Sequence, residues 1–225
     1  MFRIIKKIFL FILFSHLSYL IILRFVGPPI TLTQISSILQ GEGFHRDHVG
    51  LEDISSNARL AVMAAEDQLF PDHNGFDIKS IQQALSYNKR KPGRIRGAST
   101  ISQQVAKNVF LWQGRSWIRK GLEVYFTFMI ELCWSKRRIL EVYLNEAEMG
   151  KGIYGIEAAS RKYFKKSAAK LTRTEAAMIA ASLPNPVKYT VKPVSRYVSK
   201  KYPWVLRQMS NLDGDPDIRA IIFER

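Results

Sequence analysis

The feature that most limits what this chain can fold into is an uncharged, apolar run near its N-terminus. Residues 8–23 contain no charged side chain, and Arg3, Lys6 and Lys7 precede them. The stretch 4–26 supplies the roughly 20 residues that an α-helix needs to cross a bilayer. Basic residues before such a run place the N-terminus in the cytoplasm, so the sequence predicts an uncleaved signal anchor. A cleaved signal peptide is the alternative, although no small-x-small cleavage site follows the run.

The chain is strongly basic, with a net charge of +15 at pH 7. Beside a membrane anchor, this charge indicates anionic lipid headgroups as partners. No nucleic acid is expected, because the sequence contains no RNA or DNA recognition motif. The densest basic stretch, residues 89–96, is either a solvated loop or a mobile loop that faces the membrane or grips substrate. The single cysteine, Cys133, is predicted to be a buried packing thiol.

The apolar pattern after the anchor is mainly helical, and strand-like alternation is scarce, so the sequence predicts a mainly α fold. The stretch 117–134 is apolar on nearly all sides, which predicts a central, buried helix. We expect three parts: a cytoplasmic tip and anchor over residues 1–27, a linker and lead-in over 28–53, and a helical domain over 54–225. Helices are predicted near residues 56–66, 77–89, 99–110, 116–134, 136–145, 153–162, 172–182 and 195–211.

Two carboxylates, Glu66 and Glu123, interrupt otherwise apolar helical sequence. Glu66 ends a predicted helix, where it is either an ordinary solvated acid or a catalytic group. Glu123 lies inside an apolar helix and is costly to desolvate without a partner. Arg119 and Lys120 lie one turn earlier on the same face, so Glu123 belongs either to a structural ion pair or to a site. Such a pair of carboxylates indicates chemistry beside a phosphate.

A segment rich in hydroxyls and amides, residues 97–108, lies between the two glutamates. Thr100 and Gln103 match a capping box and predict a helix start, as Thr172 and Glu175 do further on. The N-terminus of a helix offers free backbone N–H groups and the positive end of the helix dipole, so it can bind phosphate. Lys107 in the same helix and Arg115 beyond it add cations.

Five ordered sequence blocks lie between residues 66 and 186. The first is Glu66-Asp67-x-x-Phe70-x-x-His73-x-Gly75-x-Asp77, and the second is Gly97-Ala98-Ser99-Thr100-Ile101-Ser102-Gln103-Gln104. The others begin with Arg119-Lys120-x-x-Glu123, Gly152-x-x-Gly155-Ile156 and Leu171-x-x-x-Glu175. Together these blocks resemble the family 51 glycosyltransferases, the peptidoglycan polymerases that consume lipid II. Ser102 is a departure, since the family more often has Thr at that position.

The resemblance implies a lysozyme-like helical domain with a smaller membrane-facing lobe and an active cleft between them. It implies that lipid II is polymerised with inversion into β-1,4-linked glycan, at a bacterial inner membrane and with the catalytic domain in the periplasm. Because 225 residues fit one catalytic domain plus an anchor, we do not expect the transpeptidase domain, or the transpeptidase activity, of the family's bifunctional members. Implied partners are lipid II, the growing glycan strand, membrane lipids, and cell-wall synthesis or division proteins. No cofactor is expected to be required, although a magnesium or manganese ion near the pyrophosphate fits the family.

By the family pattern, Glu66 is the general base that takes the proton of the attacking hydroxyl. Glu123 matches the second catalytic glutamate, and we favour a role in orienting Arg119 or Lys120. Candidate pyrophosphate-binding residues are Ser99, Thr100, Gln103, Gln104, Lys107, Arg115, Arg119 and Lys120, and supporting motif residues are Asp67, Phe70, His73, Gly75, Asp77 and Gly97.

Two other classes of protein stay open at this point. One is a lysozyme-like glycan hydrolase, in which a glutamate acts as general acid. A hydrolase needs no pyrophosphate site, so the cluster of cations and hydroxyls counts against it. The other is a non-catalytic, membrane-anchored scaffold of cell-wall machinery.

Overall fold

The structure is a computed structural model that describes residues 2–91, 93, 97–114 and 116–223, with the backbone alone for Phe9. Within these residues the chain forms eleven α-helices, two short 3₁₀ helices and one three-stranded sheet, which confirms the mainly α fold. The helices are α1 (Phe2–Leu23), α2 (Leu32–Leu39), α3 (Ser56–Glu66), α4 (Ile78–Arg90), α5 (Ile101–Phe110), α6 (Trp117–Cys133), α7 (Lys136–Glu146), α8 (Ile156–Phe164), α9 (Arg173–Ser182), α10 (Arg196–Leu212) and α11 (Pro216–Phe223). The strands are β1 (His45–Arg46), β2 (Glu148–Gly150) and β3 (Ile153–Tyr154), and the 3₁₀ helices are Leu51–Asp53 and Ala168–Lys170.

Side-chain caps fix where several helices begin. The Thr100 hydroxyl accepts a hydrogen bond from the Gln103 backbone N–H, and the Gln103 side chain accepts one from the Thr100 N–H. Thr172 and Glu175 form the second predicted capping box. Both predictions are confirmed, and the eight predicted helices match the observed ones to within three residues at each end. The helix α11 was not predicted.

Two groups of helices build the core. In the first group, α3 packs against α9 and α10, and in the second, α5 packs against α6 and α7. Every residue from 58 to 64 in α3 is buried, so α3 is the central helix of the domain. The end of α3 and the start of α5 carry the first two sequence blocks, and the packing brings these blocks together.

The prediction that residues 117–134 form a central, buried helix is wrong. Only Glu123, Thr127 and Ile130 of α6 are buried, whereas Trp117 is 92% exposed and Phe128 is 58% exposed. Lipid tails are as apolar as a protein core, so an all-apolar helix does not by itself indicate which of the two it contacts. The helix α6 lies against α1. Cys133, at its end, is half-buried rather than fully buried.

The helix α1 is, in the part of the chain that the structure describes, the one helix long and apolar enough to cross a membrane. Its C-terminal end packs against the domain, where Leu20 and Leu23 are buried. Trp134 Nε1 donates a hydrogen bond to the Leu20 carbonyl at 2.9 Å, and Arg138 Nε donates one to the Leu23 carbonyl at 3.1 Å. These bonds satisfy carbonyls that a helix end leaves without partners and place a cation at its negative end.

The segment predicted to be a linker, residues 28–40, contains the helix α2. Thr31 and Gln34 form a third capping box at its start, and the helix packs against α5. The following strand β1 pairs in parallel with β3, which pairs antiparallel with β2. The lead-in is therefore folded with the domain. The helix escaped prediction because the residues it buries are polar.

Residues 153–154 form the strand β3 where a helix start was predicted. Gly155 has φ of +84° and separates this strand from α8. A Cβ at Gly155 would lie 2.7 Å from the Asn145 carbonyl oxygen, so the turn requires glycine. Of the basic stretch 89–96, Lys89 and Arg90 end α4, while residues 92 and 94–96 lie outside the described residues.

Candidate active site

Glu66 is the last residue of α3 and faces side chains from α5. Gln104 Nε2 donates a hydrogen bond to Glu66 Oε2 at 2.6 Å. Burial raises the pKa of Glu66 above its ordinary value, and the hydrogen bond from Gln104 and the positive charges of Lys201 and Lys107 oppose this rise. A carboxylate with a raised pKa is a better proton acceptor near neutral pH than an ordinary solvated one.

Asp67 connects the end of α3 to the start of α5. Its Oδ2 accepts a hydrogen bond from the Ile101 backbone N–H at 3.0 Å, and its Oδ1 lies 3.0 Å from His73 Nε2. A negative charge at a helix N-terminus is stabilising. Asp67 and His73 are both largely buried, and they hold the loop that follows Glu66 in place.

The other residues of the first block shape this loop. Phe70 is fully buried, and Lys136 Nζ lies 4.6 Å from its ring centroid. Gly75 has φ of +86°, and a Cβ there would lie 2.7 Å from Thr127 Cγ2. Asp77 caps α4 by accepting a hydrogen bond from the Ser80 N–H at 2.8 Å. These residues therefore stabilise the loop that follows Glu66.

The start of α5 is largely occupied by groups of the protein itself. Thr100 and Gln103 are buried and engaged in their capping box, and the Thr100 hydroxyl also donates to the Gly75 carbonyl at 2.7 Å. The Ile101 backbone N–H donates its hydrogen bond to Asp67 Oδ2. The geometry thus gives Thr100 and Gln103 a supporting position. Gly97 and Ser99 are exposed beside this helix start.

A cluster of cations surrounds Glu123 on α6. Arg119 Nη1 lies 3.1 Å from Glu123 Oε2, and Lys120 Nζ contacts Glu123 Oε1. Burial lowers the pKa of Lys107, whereas the negative charges of Glu123 and Glu66 raise it. Lys107 therefore lies in the electric field of both predicted catalytic glutamates. Arg115, the remaining predicted cation, lies outside the described residues.

Arg119 carries a donor that the protein leaves unused. Its Nε is buried and has no hydrogen-bond partner within residues 2–91, 93, 97–114 and 116–223. Its Nη1 is held by Glu123. An unsatisfied buried donor is costly, and a catalytic or binding role is one explanation for such a group.

Three functional candidates escaped the sequence analysis. Glu131 lies two turns after Glu123 on α6, accepts a hydrogen bond from Ser102 and pairs with Lys136 Nζ at 2.8 Å. Its spacing from Glu123 was the signal that could have found it. Glu148 on β2 and Lys201 on α10 interact electrostatically with Lys107 and Glu66 respectively, and no local pattern marks either of them.

The arrangement suits one kind of chemistry. A general-base carboxylate can activate a hydroxyl, and nearby cations with a free donor can stabilise an anionic leaving group. Within the described residues, no group of three or more His, Cys, Asp and Glu side chains is arranged to hold a metal ion. These properties are typical of one class of protein, an enzyme with an acid–base carboxylate beside a cation cluster, and the helix α1 is compatible with a membrane anchor.

Comparison with known proteins identifies the family. The family model described as Transglycosylase matches residues 32–210, so the chain belongs to the transglycosylase family, whose domain is lysozyme-like. A biosynthetic peptidoglycan transglycosylase of Pectobacterium carotovorum is 50% identical over 225 residues, which cover 97% of this chain and 92% of the relative. A protein of the same name from Escherichia coli O1:K1 is 57% identical over 186 residues, covering 81% of this chain and 77% of the relative.

Proposed function

We propose that this chain is a peptidoglycan glycosyltransferase that polymerises lipid II into β-1,4-linked glycan strands. Membership of the transglycosylase family and the names of its relatives support this function. The observation that carries the mechanism is the position of Glu66, a carboxylate with a raised pKa that is held by Gln104 and lies in the field of Lys107. A transpeptidase activity is not part of the proposal.

In the proposed reaction, Glu66 accepts the proton of the C4 hydroxyl of the acceptor sugar. The hydroxyl oxygen forms a bond to the anomeric carbon of the donor, and the bond from that carbon to the lipid pyrophosphate breaks. The electron pair of the broken bond leaves with the pyrophosphate. Attack from the face opposite the leaving group inverts the anomeric centre and gives the β-1,4 linkage.

The cations stabilise the charge that develops on the departing pyrophosphate. Lys107, Arg119 and Lys120 supply positive charge, and Arg119 Nε supplies a donor. Preorganised groups of this kind are each worth about 3 kcal/mol in a site that excludes water. Glu123 touches Arg119 and Lys120, which supports a role in orienting these two side chains. Ser99, Gln104 and Arg115 complete the proposed binding set by the family pattern.

We also propose that the chain has no resident cofactor. Glu123 is engaged by two cationic side chains, so it is poorly placed to act as a metal ligand. Where magnesium or manganese contributes, it binds the pyrophosphate oxygens of the substrate, because phosphate oxygens and water are ordinary ligands of these ions.

The proposed location is the inner membrane of a bacterium, with α1 as a single-pass anchor and the catalytic domain in the periplasm. The basic residues before the apolar run support this orientation. The exposed apolar side chains of α6, which lies against α1, support contact of the domain with membrane lipids. Proteins of cell-wall synthesis or division are further proposed partners.

The test is polymerisation of labelled lipid II by the purified full chain in detergent or liposomes, followed by gel separation and muramidase digestion. We expect a muramidase-sensitive ladder from wild type and a loss of at least about 100-fold in rate for Glu66→Gln. Asp72→Asn, which removes an exposed carboxylate from the same loop, is the matched control and should retain the ladder. Shortening of preformed glycan without a ladder would instead identify a hydrolase, and the absence of both activities a scaffold.

A further inference from the structure

The helix α2 buries polar side chains and exposes apolar ones, which is the reverse of a helix on a water-exposed surface. It buries three polar residues, Thr33, Gln34 and Ser37. Its apolar side chains point outward, and Leu39 is 81% exposed. No residue of the helix is charged. The outward apolar face, called here the α2 face, consists of Leu32, Ile35, Ile38 and Leu39.

Polar contacts on the inner side fix this orientation. Gln34 Nε2 donates to Glu146 Oε2 at 2.8 Å, and the Thr33 hydroxyl accepts from Gln113 Nε2 at 3.0 Å. Gln34 is fully buried. Rotation of the helix to hide its apolar side would break these bonds and leave buried polar groups without partners, which is costly. The α2 face is therefore held outward by the fold.

The same contacts place α2 close to the end of the membrane anchor. Arg138 on α7 holds the Leu23 carbonyl at the end of α1, and Glu146 on the same helix holds Gln34. These two positions lie eight residues apart, which is about 12 Å along a helix. Arg46 Nη2 forms an ion pair with Glu146 Oε1 at 2.6 Å, and Arg46 Nη1 donates a hydrogen bond to the Pro29 carbonyl at 2.9 Å. The connection between α1 and α2 is therefore also fixed.

The connection itself carries exposed apolar side chains. Phe25 is 73% exposed, Val26 57% and Ile30 42%. They lie within the eight residues that join the end of α1 at Leu23 to the start of α2 at Leu32. The polar headgroup region on each side of a bilayer is several ångströms thick. With α1 as the proposed anchor, a helix this close to its end would lie at the depth of the membrane surface.

We propose that the α2 face binds the surface of the lipid bilayer and holds the catalytic domain to the membrane at a second point beyond the anchor. Apolar faces of interfacial helices enter the boundary between headgroups and acyl chains, and the α2 face matches that environment in polarity and position. A bilayer is the occupant that fits the position of the α2 face beside the end of α1 and the absence of charged residues from the helix. The contact is separate from that of α6, and the inference depends on the membrane anchor but not on the polymerase chemistry.

The test measures the depth of α2 in a membrane directly. An environment-sensitive fluorophore is attached to the Ile38→Cys variant of the full chain, in a Cys133→Ser background, and reconstituted into vesicles of phosphatidylethanolamine and phosphatidylglycerol. The matched control carries the label on Ser210→Cys, at an exposed position of α10. We expect blue-shifted emission and quenching by lipids with a spin label near the headgroup for the first variant, and neither for the control.

Emission typical of water, or quenching only by a soluble quencher, would overturn the proposal. Shielding from both quenchers would also overturn it, because a second copy of the chain would then cover the α2 face. A second measurement uses Ile35→Ser combined with Ile38→Ser and Leu39→Ser. Because these side chains are exposed, we expect the variant to fold and to consume lipid II at the wild-type rate in detergent but several-fold more slowly in vesicles. Equal losses in both media, or no loss in vesicles, would contradict the proposal.

Discussion

Gln104 joins the proposed base to a fully buried tyrosine on another helix. Its Nε2 donates to Glu66 Oε2 at 2.6 Å, and its Oε1 accepts from the Tyr143 hydroxyl at 3.3 Å. Because the Tyr143 hydroxyl donates to the amide oxygen of Gln104, the amide nitrogen of Gln104 points toward the Glu66 carboxylate. The chain of bonds from α7 through α5 to α3 therefore sets which carboxylate oxygen of Glu66 is engaged and favours the ionised form of the base.

The first prediction concerns the pH dependence of polymerisation in Gln104→Leu. The hydrogen bond from Gln104 stabilises the ionised form of Glu66, so its removal raises the pKa of this carboxyl. A hydrogen bond to a charged group contributes about 1.5 kcal/mol or more, which corresponds to roughly one pH unit. We expect the acidic limb of the pH–rate profile on lipid II to move upward by about one unit. Asn108→Ala, one turn further along α5, should leave the limb in place; an unmoved or lowered limb in Gln104→Leu would contradict the prediction.

The second prediction concerns the positioning role of Tyr143. Tyr143→Phe keeps the buried ring and removes only the bond that orients the Gln104 amide. We expect a shift of the acidic limb in the same direction as for Gln104→Leu but smaller. Tyr163→Phe is the control, because it removes the hydroxyl of a half-buried tyrosine that donates to the Met149 carbonyl at 2.9 Å and not to Gln104. Both variants should lose about 1 kcal/mol of stability, and a shift in both or in neither would exclude a specific role for Tyr143.

The third prediction concerns the unused donor of Arg119. Arg119→Lys keeps a positive charge near Glu123 but removes Nε, which is buried without a partner in the described part of the chain. Arginine and lysine are not equivalent where two donors are used in a fixed geometry. We expect the rate of lipid II polymerisation to fall by roughly 10- to 100-fold. Arg161→Lys, which changes an exposed arginine paired with the buried Glu157, should keep the wild-type rate. Equal rates for Arg119→Lys and wild type would show that Nε does not bind the substrate.

Local signals in the sequence were enough to predict most helices of the domain. Hydroxyl caps such as Thr100 and Thr172 mark helix starts because their bonds are made within one turn. The sequence also predicted that Glu66 ends a helix and that Glu123 lies within one, and both placements are confirmed. Their catalytic roles stay predictions. A capping motif does not show whether its polar groups are free to bind a ligand. Thr100 is buried, and its hydroxyl is used in hydrogen bonds within the protein.

The remaining features depend on partners far away in the sequence. The helix α2 was missed because Gln34 faces inward to Glu146, 112 residues later. Lys201 on α10 acts electrostatically on Glu66. The two residues are far apart in the sequence, so no periodic pattern predicts that they lie near each other. For α6, the sequence showed an apolar helix but not whether its side chains face the protein core or the outside. Lipid and a protein core are equally apolar, so both favour the same side chains.

The last prediction concerns Glu146, which is buried against Arg46 and Gln34. Burial raises the pKa of Glu146 to about 7, and Arg46 and Gln34 oppose this rise. Because the folded state favours the neutral acid, its contribution to stability is fully present below pH 4.5 and is lost as the pH rises through about 7. Between pH 5 and pH 8, wild type should therefore lose up to about 3 kcal/mol of unfolding free energy through this group.

Glu146→Gln fixes the side chain in an uncharged form and removes this loss. We expect the variant to gain stability relative to wild type as the pH rises, by several degrees in melting temperature between pH 5 and pH 8. The measurement is thermal unfolding of the full chain in detergent at a series of pH values. Glu52→Gln, which removes a more exposed carboxylate from its pair with Arg137, should follow the wild-type trend. Only a carboxyl that titrates between pH 5 and pH 8 makes the difference in melting temperature between Glu146→Gln and wild type depend on pH. A difference that stays constant with pH would therefore contradict the prediction and show that Arg46 keeps Glu146 ionised throughout.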